Sequence, residues 1–350
     1  MHYSEYFLKK RNIINQEIFN KKINWFLDIK SIFYHKIKRK DVKKFAIQLS
    51  KHYQKLKNVN SSNNKSVKIK VTKLEEFLKK SHSLKLNNLL RSFLRYSVNE
   101  YFKYFLIQGS IASQDYIEGW SDIDTWAVIK DEILDDPKKL IKLRKILYSF
   151  YKKINFFSKF QHHGIIVYTE QDIKNYLPGY LPKEALIKNI SLDKNNKNDI
   201  ELILSIKKNN LSKKILKDKY IFLKKAIKDK EYNHHVIKNI PKIPFKKNEP
   251  YLFELFYHIG TILNIPILYL DSINQSSHKK KSFKKFYRLI KNKFVRDFIF
   301  KHEKIRKNWA KYRAKNFKIP KKLIQDLGDD YFINCLKTYE IILKKLKDTK

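Results

Sequence analysis

Apolar residues recur at helical spacing through both ends of the chain. In residues 1–57 they stand three or four positions apart among lysines, which is typical of amphipathic helices. A similar pattern runs from about residue 67 to residue 104 and returns from residue 169 to the C-terminus. We therefore expect a helical N-terminal region and an α-helical C-terminal region.

The period changes in the middle of the chain. KYFLIQ (103–108) is a short apolar run ending at Gly109, and SDIDTWAVI (121–129) and FQHHGIIVY (160–168) are two further predicted strands. A helix is predicted over 137–154, because it opens on a proline suited to a first helical turn. The order helix, strand, turn, strand, helix, strand predicts an α+β chain with a helical region at 1–82, an α/β core at 83–172 and an α-helical domain at 173–350.

The charge of the chain has two competing explanations. The formal net charge is +43, from 77 Lys and Arg against 34 Asp and Glu, and a basic chain suggests an acidic partner such as nucleic acid. Only nine of the basic residues are Arg, and Lys, Asn and Ile are abundant, as in proteins of AT-rich genomes. We attribute most of the excess to coding bias. Nucleic acid remains a possible partner, and the positive field favours anionic ligands such as nucleotides.

Cysteine usage and hydropathy indicate the compartment. Cys335 is the single cysteine, so an internal disulfide is excluded and a reducing, cytoplasmic environment is expected. The most apolar window, residues 251–270, contains Glu254 and His258. We expect it to form a buried helix that breaks near Pro266 rather than a membrane span, and we expect no membrane partner.

A Gly-Ser turn follows the first predicted strand. Glycine at 109 lets the backbone approach a ligand without a Cβ in the way. The next backbone N–H groups and the Ser110 hydroxyl can then face an anion, with help from the dipole of a following helix. Gly109 and Ser110 are therefore candidate nucleotide-phosphate ligands.

Two aspartates follow on the second predicted strand. Asp122 and Asp124 are two positions apart, so the alternation of a strand puts both carboxylates on one face. Hard oxygen ligands of this kind suit Mg²⁺ or Mn²⁺, which also bind phosphate oxygens. The acidic pairs at 135–136 and 329–330 lack a strand and a Gly-Ser turn upstream, and we interpret them as solvated caps.

Gly109-Ser110, eleven residues, then Asp122-Ile123-Asp124 resembles the signature of the DNA polymerase β-like nucleotidyltransferase superfamily. The resemblance covers about residues 86–170 and is specific at superfamily level only. It implies a small mixed sheet with flanking helices, binding of an NTP with Mg²⁺, and transfer of a nucleotidyl group with release of pyrophosphate. By this resemblance Gly109 and Ser110 would contact the phosphates, and Asp122 and Asp124 would be catalytic metal ligands.

The superfamily usually supplies a third carboxylate from the next core strand, and FQHHGIIVY carries no acid. His163 is the candidate replacement, as metal ligand or proton acceptor, because a neutral imidazole does both. Burial of one histidine of the pair and exposure of the other is the alternative. Glu170 or Asp172 could also fill the role, although both are expected to lie past the strand.

HKKKSFKKF (278–286) is a second candidate nucleotide-binding segment. Lys280, Lys281 and Ser282 could make charge-assisted bonds to the β- and γ-phosphates. A solvated lysine run is the alternative interpretation of the same residues.

Three hypotheses about function follow. The first is a Mg²⁺-dependent (or Mn²⁺-dependent) nucleotidyltransferase that uses an NTP, with ATP favoured, on an unknown acceptor: a small molecule, a protein side chain or an RNA end. The second is a nucleotide- or RNA-binding protein without catalysis on the same fold. The third is an interaction protein, such as one partner of a toxin–antitoxin pair.

Overall fold

The chain forms two compact units. The computed structural model describes residues 3–27, 37, 39–56, 65–81, 83–94, 96, 98–157, 161, 164–177, 186, 188–193, 199–204, 211–229, 252–277, 279–312 and 320–348. The first unit comprises Met1–Tyr116, Ser121–Lys207 and Asn239–Pro241, and the second comprises Ile117–Trp120, Lys208–Lys238 and Lys242–Lys350.

A six-stranded mixed sheet organises the first unit. Its strands are β1 Lys65–Lys73, β2 Phe102–Ile107, β3 Thr125–Ile129, β4 Ile166–Thr169, β5 Lys188–Ser191 and β6 Ile200–Leu204, in the order β4-β3-β2-β5-β1-β6. Strands β3 and β4 are parallel, as are β1 and β5, and the other neighbours are antiparallel. The α+β fold with a mixed sheet, predicted from the sequence, is confirmed.

Helices flank this sheet and most of them pack on one face, whereas Ile173 of the last of them packs on the other. They are α1 Tyr3–Leu27, α2 Val42–Leu56, α3 Leu74–Lys80, α4 Leu84–Phe93, α5 Val98–Tyr101, α6 Gly109–Ala112, α7 Asp131–Leu134, α8 Pro137–Phe157 and α9 Glu170–Lys174. Apolar side chains of α1, α2, α4 and α8 form one core with Phe105, Ile107 and Ala127 of the sheet. Because side chains alternate along a strand, Leu106 and Trp126 lie on the opposite face, in a second cluster of buried apolar side chains.

The second unit is helical in its described residues. Its helices are α10 Leu211–Asp229, α11 Leu252–Leu263, α12 Ile265–Ser272, α13 Lys279–Leu289, α14 Lys293–Lys307, α15 Lys321–Leu327 and α16 Tyr331–Asp348. The apolar window is divided at Asn264, where α11 ends, and Pro266 occupies the first turn of α12. The predicted break near Pro266 is confirmed. Within the described ranges, no helix combines the length and the apolar character that crossing a membrane requires.

Three strands lie where the sequence pattern predicts helix. Strand β1 begins at Lys65, in KSVKIKVTK, where valine and isoleucine alternate with lysine and threonine. That alternation is typical of a strand with one solvated face, and only Ile69 of this strand is deeply buried. Strands β5 and β6, inside the range predicted to be α-helical, are only four and five residues long. Their positions depend on pairing with β1 and β2, far away in the sequence.

Two predicted strands are shorter than expected. Strand β3 begins at Thr125 instead of residue 121, and β4 begins at Ile166 instead of residue 160. Before β3, Ile123 is bonded on one side to the Gln161 side chain instead of to a neighbouring strand. This difference bears directly on the site, because Asp122 and Asp124 lie in the segment before β3.

Candidate active site

The Gly-Ser turn lies where β2 ends. Gly109 has a φ of 70°, in the left-handed region that glycine enters without steric cost. The Ser113 N–H donates to the Gly109 carbonyl over 3.1 Å, and the Asp115 N–H donates to the Ser110 carbonyl over 2.7 Å. Helix α6 is a single turn of four residues. The predicted contribution of a helix dipole is therefore small, and the turn itself provides the N–H groups.

Asp124 lies directly against this turn. A Cβ built on Gly109 would stand 3.0 Å from the Asp124 Cγ and 3.2 Å from its Cβ, and closest to its Oδ2. The Gln108 N–H also donates to the Asp124 carbonyl over 2.9 Å. The absence of a side chain at Gly109 thus makes room for a carboxylate. Gly109 and Asp124, which belong to one sequence signature, therefore lie side by side in the structure.

Asp122 and Asp124 precede β3 instead of lying within it, which corrects the sequence prediction. Burial nevertheless alternates through the segment: Ser121, Ile123 and Thr125 are buried, and the two aspartates between them are half-buried. Ile123 belongs to the core on the helix-covered face of the sheet. In an extended chain this alternation directs both aspartates to the side opposite Ile123.

Gln161 holds the peptide between the two aspartates. The Ile123 N–H donates to Gln161 Oε1 over 2.9 Å, and Gln161 Nε2 donates to the Ile123 carbonyl over 3.2 Å. The Gln161 side chain thereby occupies the place of a neighbouring strand, before the β3–β4 pairing starts at Trp126 and Ile166. Sequence reasoning missed this role, because no local pattern reports a contact between residues 38 positions apart.

Three buried polar atoms near the turn have no hydrogen-bond partner in the described part of the chain. They are Gln108 Oε1, Ser110 Oγ and Thr125 Oγ1. A buried polar group left without a partner costs about 1–3 kcal/mol, so native structures retain few of them without a reason. Ser110 is 8% exposed. An anion that accepts a hydrogen bond from its hydroxyl would remove that cost.

Glu170 and Asp172 are engaged elsewhere. Both follow the end of β4, as the sequence predicts. Glu170 pairs with Lys103 at 2.5 Å. Asp172 forms a capping box with Thr169 at the start of α9 and accepts hydrogen bonds from Gln16 and Asn20. These contacts assign structural roles to the two carboxylates.

His163 lies outside the described residues, as does His162, so its proposed role stays a prediction. The residues on either side of the pair are described. Gln161 is held by Ile123, and a Cβ built on Gly164 would stand 2.7 Å from Tyr151 Cζ. The Ile165 N–H donates to the Tyr151 hydroxyl over 2.7 Å. Glycine at 164 is thus explained by the approach of the Tyr151 ring.

The second candidate segment lies on α13, in the second unit. Lys281 is exposed, and the side chain of Lys280 is outside the described part of the chain. Ser282 is fully buried, and its hydroxyl donates to the Ser277 carbonyl over 2.8 Å. This hydrogen bond and this burial give Ser282 a packing role, so a phosphate contact is expected from the lysines alone.

One member of the acidic pair at 135–136 behaves as a cap, whereas Asp135 Oδ1 is buried. Asp136 Oδ1 accepts from the Lys138 N–H over 2.7 Å, at the start of α8, which confirms the prediction for this residue. Asp329 and Asp330 are exposed in the turn before α16. Asp329 follows Gly328, whose φ is also positive, but a Cβ added at Gly328 would meet Lys301 Nζ at 4.0 Å instead of a carboxylate.

The donors beside Gly109 fit Mg²⁺. Among the described residues no group of three or more His, Cys, Asp and Glu side chains is arranged to hold a metal ion. Mg²⁺ does not need such a group, because it is commonly bound by one or two carboxylates together with substrate phosphates. Asp122 and Asp124 are the two carboxylates of this segment that would hold the ion.

Comparisons with known protein families, with curated proteins and with solved structures found no match.

Proposed function

We propose that this chain is a Mg²⁺-dependent nucleotidyltransferase. One observation carries the proposal: the Asp124 carboxylate lies in the space left by the missing side chain of Gly109, beside the buried Ser110 hydroxyl. A carboxylate packed against a glycine turn brings together a cation ligand and a candidate anion cradle. That combination suits a ligand in which a divalent cation and phosphates occur together, as in Mg²⁺·ATP.

Each residue has a separate task in this proposal. The N–H groups after Gly109 and the Ser110 hydroxyl bind phosphate oxygens. The sequence-based assignment of Lys280 and Lys281 to phosphate binding stays a prediction. Asp122 and Asp124 hold Mg²⁺ or Mn²⁺ through their carboxylates. When bound there, the metal neutralises charge on the phosphates and lowers the pKa of a coordinated hydroxyl.

The reaction is a displacement at the α-phosphorus. The acceptor oxygen forms a bond to that phosphorus, the bond from it to the oxygen bridging to the β-phosphate breaks, and pyrophosphate departs with the electron pair. The acceptor's proton passes to a base, for which His163 is the proposed residue. The turn contributes by holding the phosphates in line with the acceptor.

The proposal also names a nucleotide donor and a cellular compartment. ATP is the expected nucleotide, and AMP the group transferred, because adenylylation is the common case. The acceptor is a small molecule, a protein side chain or an RNA end. The buried thiol of Cys335 is free, and a reducing cytoplasm is the proposed location.

The first test is pyrophosphate release from α-labelled NTPs in the presence of Mg²⁺. Purified protein and cell lysate as acceptor source should yield pyrophosphate and a labelled product with at least one nucleotide. The double variant Asp122→Asn, Asp124→Asn should lose both. Mass spectrometry of the labelled product then identifies the acceptor.

The matched control is Asp329→Asn with Asp330→Asn. It removes the same number of charges from an exposed turn, where an added Cβ on the neighbouring Gly328 would meet Lys301 Nζ instead of a carboxylate. This control should keep wild-type activity. Equal loss in both double variants, or no product with any of the four nucleotides, would contradict the proposal.

A nucleotide- or RNA-binding protein without catalysis is the second candidate. Two observations favour it: the carboxylates of Glu170 and Asp172 are engaged elsewhere, and the net charge is +43. It predicts nucleotide or RNA binding without pyrophosphate release.

A further inference from the structure

Resting on the proposed function, we infer that Gln161 is a positioning residue that sets the geometry of the Asp122–Asp124 pair. Its side-chain amide makes two hydrogen bonds to the backbone of one residue, Ile123, which lies between the two aspartates. Gln161 does not need to touch metal or nucleotide for this. It acts by fixing the backbone that carries both carboxylates.

The orientation of the Gln161 amide is set by its partners. A backbone N–H can meet only an acceptor, and a backbone carbonyl can meet only a donor. The oxygen therefore faces the Ile123 N–H, and the nitrogen faces the Ile123 carbonyl. Gln161 is 6% exposed and Ile123 is fully buried, so water has little access to replace either bond.

The segment is held from the other side as well. The Gln108 N–H donates to the Asp124 carbonyl, which extends the β2–β3 ladder by one step beyond the Ile107–Thr125 pair. On the β4 side no strand reaches Ile123 in the described residues, because β4 begins only at Ile166. Gln161 supplies the missing pairing there. Without it the segment would be hydrogen-bonded along one edge only.

The consequence for metal binding follows from the geometry of two ligands on one short segment. Mg²⁺ demands near-ideal octahedral geometry, so loss of order in the backbone between two ligands weakens binding even when both ligands remain. Residues that orient metal ligands typically change metal affinity or activity by about 10- to 100-fold when mutated. Binding of the nucleotide base and sugar does not depend on this segment in the same way.

The chain offers a matched control in Asn24. Its side-chain amide makes the same pair of bonds to one backbone residue: Nδ2 donates to the Val167 carbonyl over 2.8 Å, and the Val167 N–H donates to Oδ1 over 2.7 Å. Val167 lies on β4, at the edge of the sheet, away from the Gly109 turn. Asn24→Leu therefore removes a comparable pair of bonds from a strand that does not carry the aspartates, and the Val167 carbonyl keeps the Asn20 amide as a donor over 3.1 Å.

The experiment compares wild type, Gln161→Met and Asn24→Leu as full-length proteins in two measurements. Hydrogen–deuterium exchange reports on the backbone of residues 121–125. Electron paramagnetic resonance of free Mn²⁺, in the presence of ATP, reports metal affinity, and ATP affinity is measured separately with EDTA. Gln161→Met should raise exchange in 121–125 at least 10-fold and weaken Mn²⁺ about 10- to 100-fold, with ATP affinity in EDTA unchanged. Asn24→Leu should match wild type in both measurements.

Unchanged exchange in Gln161→Met, or an equal loss of Mn²⁺ affinity in Asn24→Leu, would overturn the inference. Wild-type protein that binds neither Mn²⁺ nor ATP would instead overturn the proposed function, and exchange would then decide whether Gln161 holds the segment. Gln161→Glu keeps an acceptor for the Ile123 N–H and loses the donor. It should give intermediate values and serves if the methionine variant does not fold.

Discussion

Gly109 meets two constraints that disfavour residues with a side chain. Its φ of 70° is disfavoured by about 1–2 kcal/mol for a residue with a Cβ. Its missing side chain also leaves the space that the Asp124 carboxylate fills. The two constraints have different consequences, because the first concerns stability alone and the second concerns the site.

Gly109→Ala should differ in ATP binding from a control variant at a glycine that meets only the first constraint. We expect it to destabilise the fold by about 1–3 kcal/mol and to weaken Mg²⁺-dependent ATP binding more than 10-fold, because the new methyl group displaces the carboxylate. Isothermal titration calorimetry measures the binding, and urea unfolding measures the stability.

Gly328→Ala is that control. Gly328 has a φ of 81°, and the nearest atom to an added methyl group would be Lys301 Nζ at 4.0 Å. It should lose similar stability and keep wild-type ATP binding. If Gly109→Ala bound Mg²⁺·ATP as tightly as wild type does, the contact between Gly109 and Asp124 would not contribute to the binding site.

The residues of the candidate site differ in how far the sequence could predict them. Gly109, Ser110, Asp122 and Asp124 form a local pattern of fixed spacing, so a sequence motif can reveal them. The contact between Gly109 and Asp124 follows from a hairpin of two adjacent strands and was also predictable. Gln161 was not, because its role arises where β4 has not yet begun and a side chain takes over the pairing of a strand.

At the scale of elements, local periodicity predicts those helices and strands that are stabilised by interactions between residues close in the sequence. Helices α8, α11 and α12 follow from apolar spacing and proline position, and they were found near their predicted places. Strand β1 was missed although Val67, Ile69 and Val71 alternate with lysine and threonine. Lysine-rich helices surround this segment in the sequence, and its assignment as a strand depends on two partners, β5 and β6, that lie more than 100 residues later.

Amide side chains complete the sheet in the same way at two places. Asn24 of α1 pairs with Val167 on the edge strand β4, and Gln161 pairs with Ile123 before β3 begins. Such side chains satisfy backbone groups that would otherwise be left unpaired. They also occupy the edge of a sheet that could pair with another chain.

Helix α14 contains a histidine that makes the stability of the second unit depend on pH. Burial lowers the pKa of His302 to about 4; nearby Lys301 acts in the same direction, and the hydrogen bond to Phe298 acts in the opposite one. The Phe298 carbonyl can only accept, so Nδ1 carries the proton and Nε2 accepts from the Tyr331 hydroxyl. The folded state therefore contains the neutral imidazole.

Because of His302, we expect the free energy of unfolding to decrease as the pH falls from about 6.5 to about 4. In that window the unfolded chain binds a proton that the folded chain does not, so the free energy of unfolding falls with pH, by about 3 kcal/mol in total. His302→Gln should be less stable at pH 7, because its packing and hydrogen bonds change, and should show a flatter slope between pH 6.5 and 4. Urea unfolding at four pH values measures both.

His52 provides a comparison in the first unit. Its pKa is lowered too, mainly by burial, but its side chain is less buried than that of His302. His52→Gln should therefore flatten the slope less. Parallel slopes for wild type and His302→Gln would contradict the assignment of a buried neutral imidazole.

At the scale of the whole molecule, the net charge of +43 predicts binding to almost any polyanion. Such binding carries little information about function, because contacts between lysines and phosphates are independent of sequence and are released by salt. A site that binds Mg²⁺·ATP through two carboxylates should behave differently in two respects. It should depend on Asp122 and Asp124, and it should depend only weakly on salt.

We therefore expect two separable binding activities. Affinity for a single-stranded RNA should fall about 300- to 15,000-fold between 50 and 200 mM salt if about 6–10 phosphates are contacted. It should be equal or slightly higher in Asp122→Asn, Asp124→Asn, because that variant removes two negative charges. Affinity for Mg²⁺·ATP should change little over the same salt range and be lost in the variant. Fluorescence anisotropy with labelled RNA and labelled ATP measures both ligands on one set of samples.

RNA binding that resists salt and is lost in Asp122→Asn, Asp124→Asn would instead place RNA at the site itself. RNA would then be either the acceptor of the reaction or the ligand of a protein without catalysis. Pyrophosphate release would distinguish those two cases.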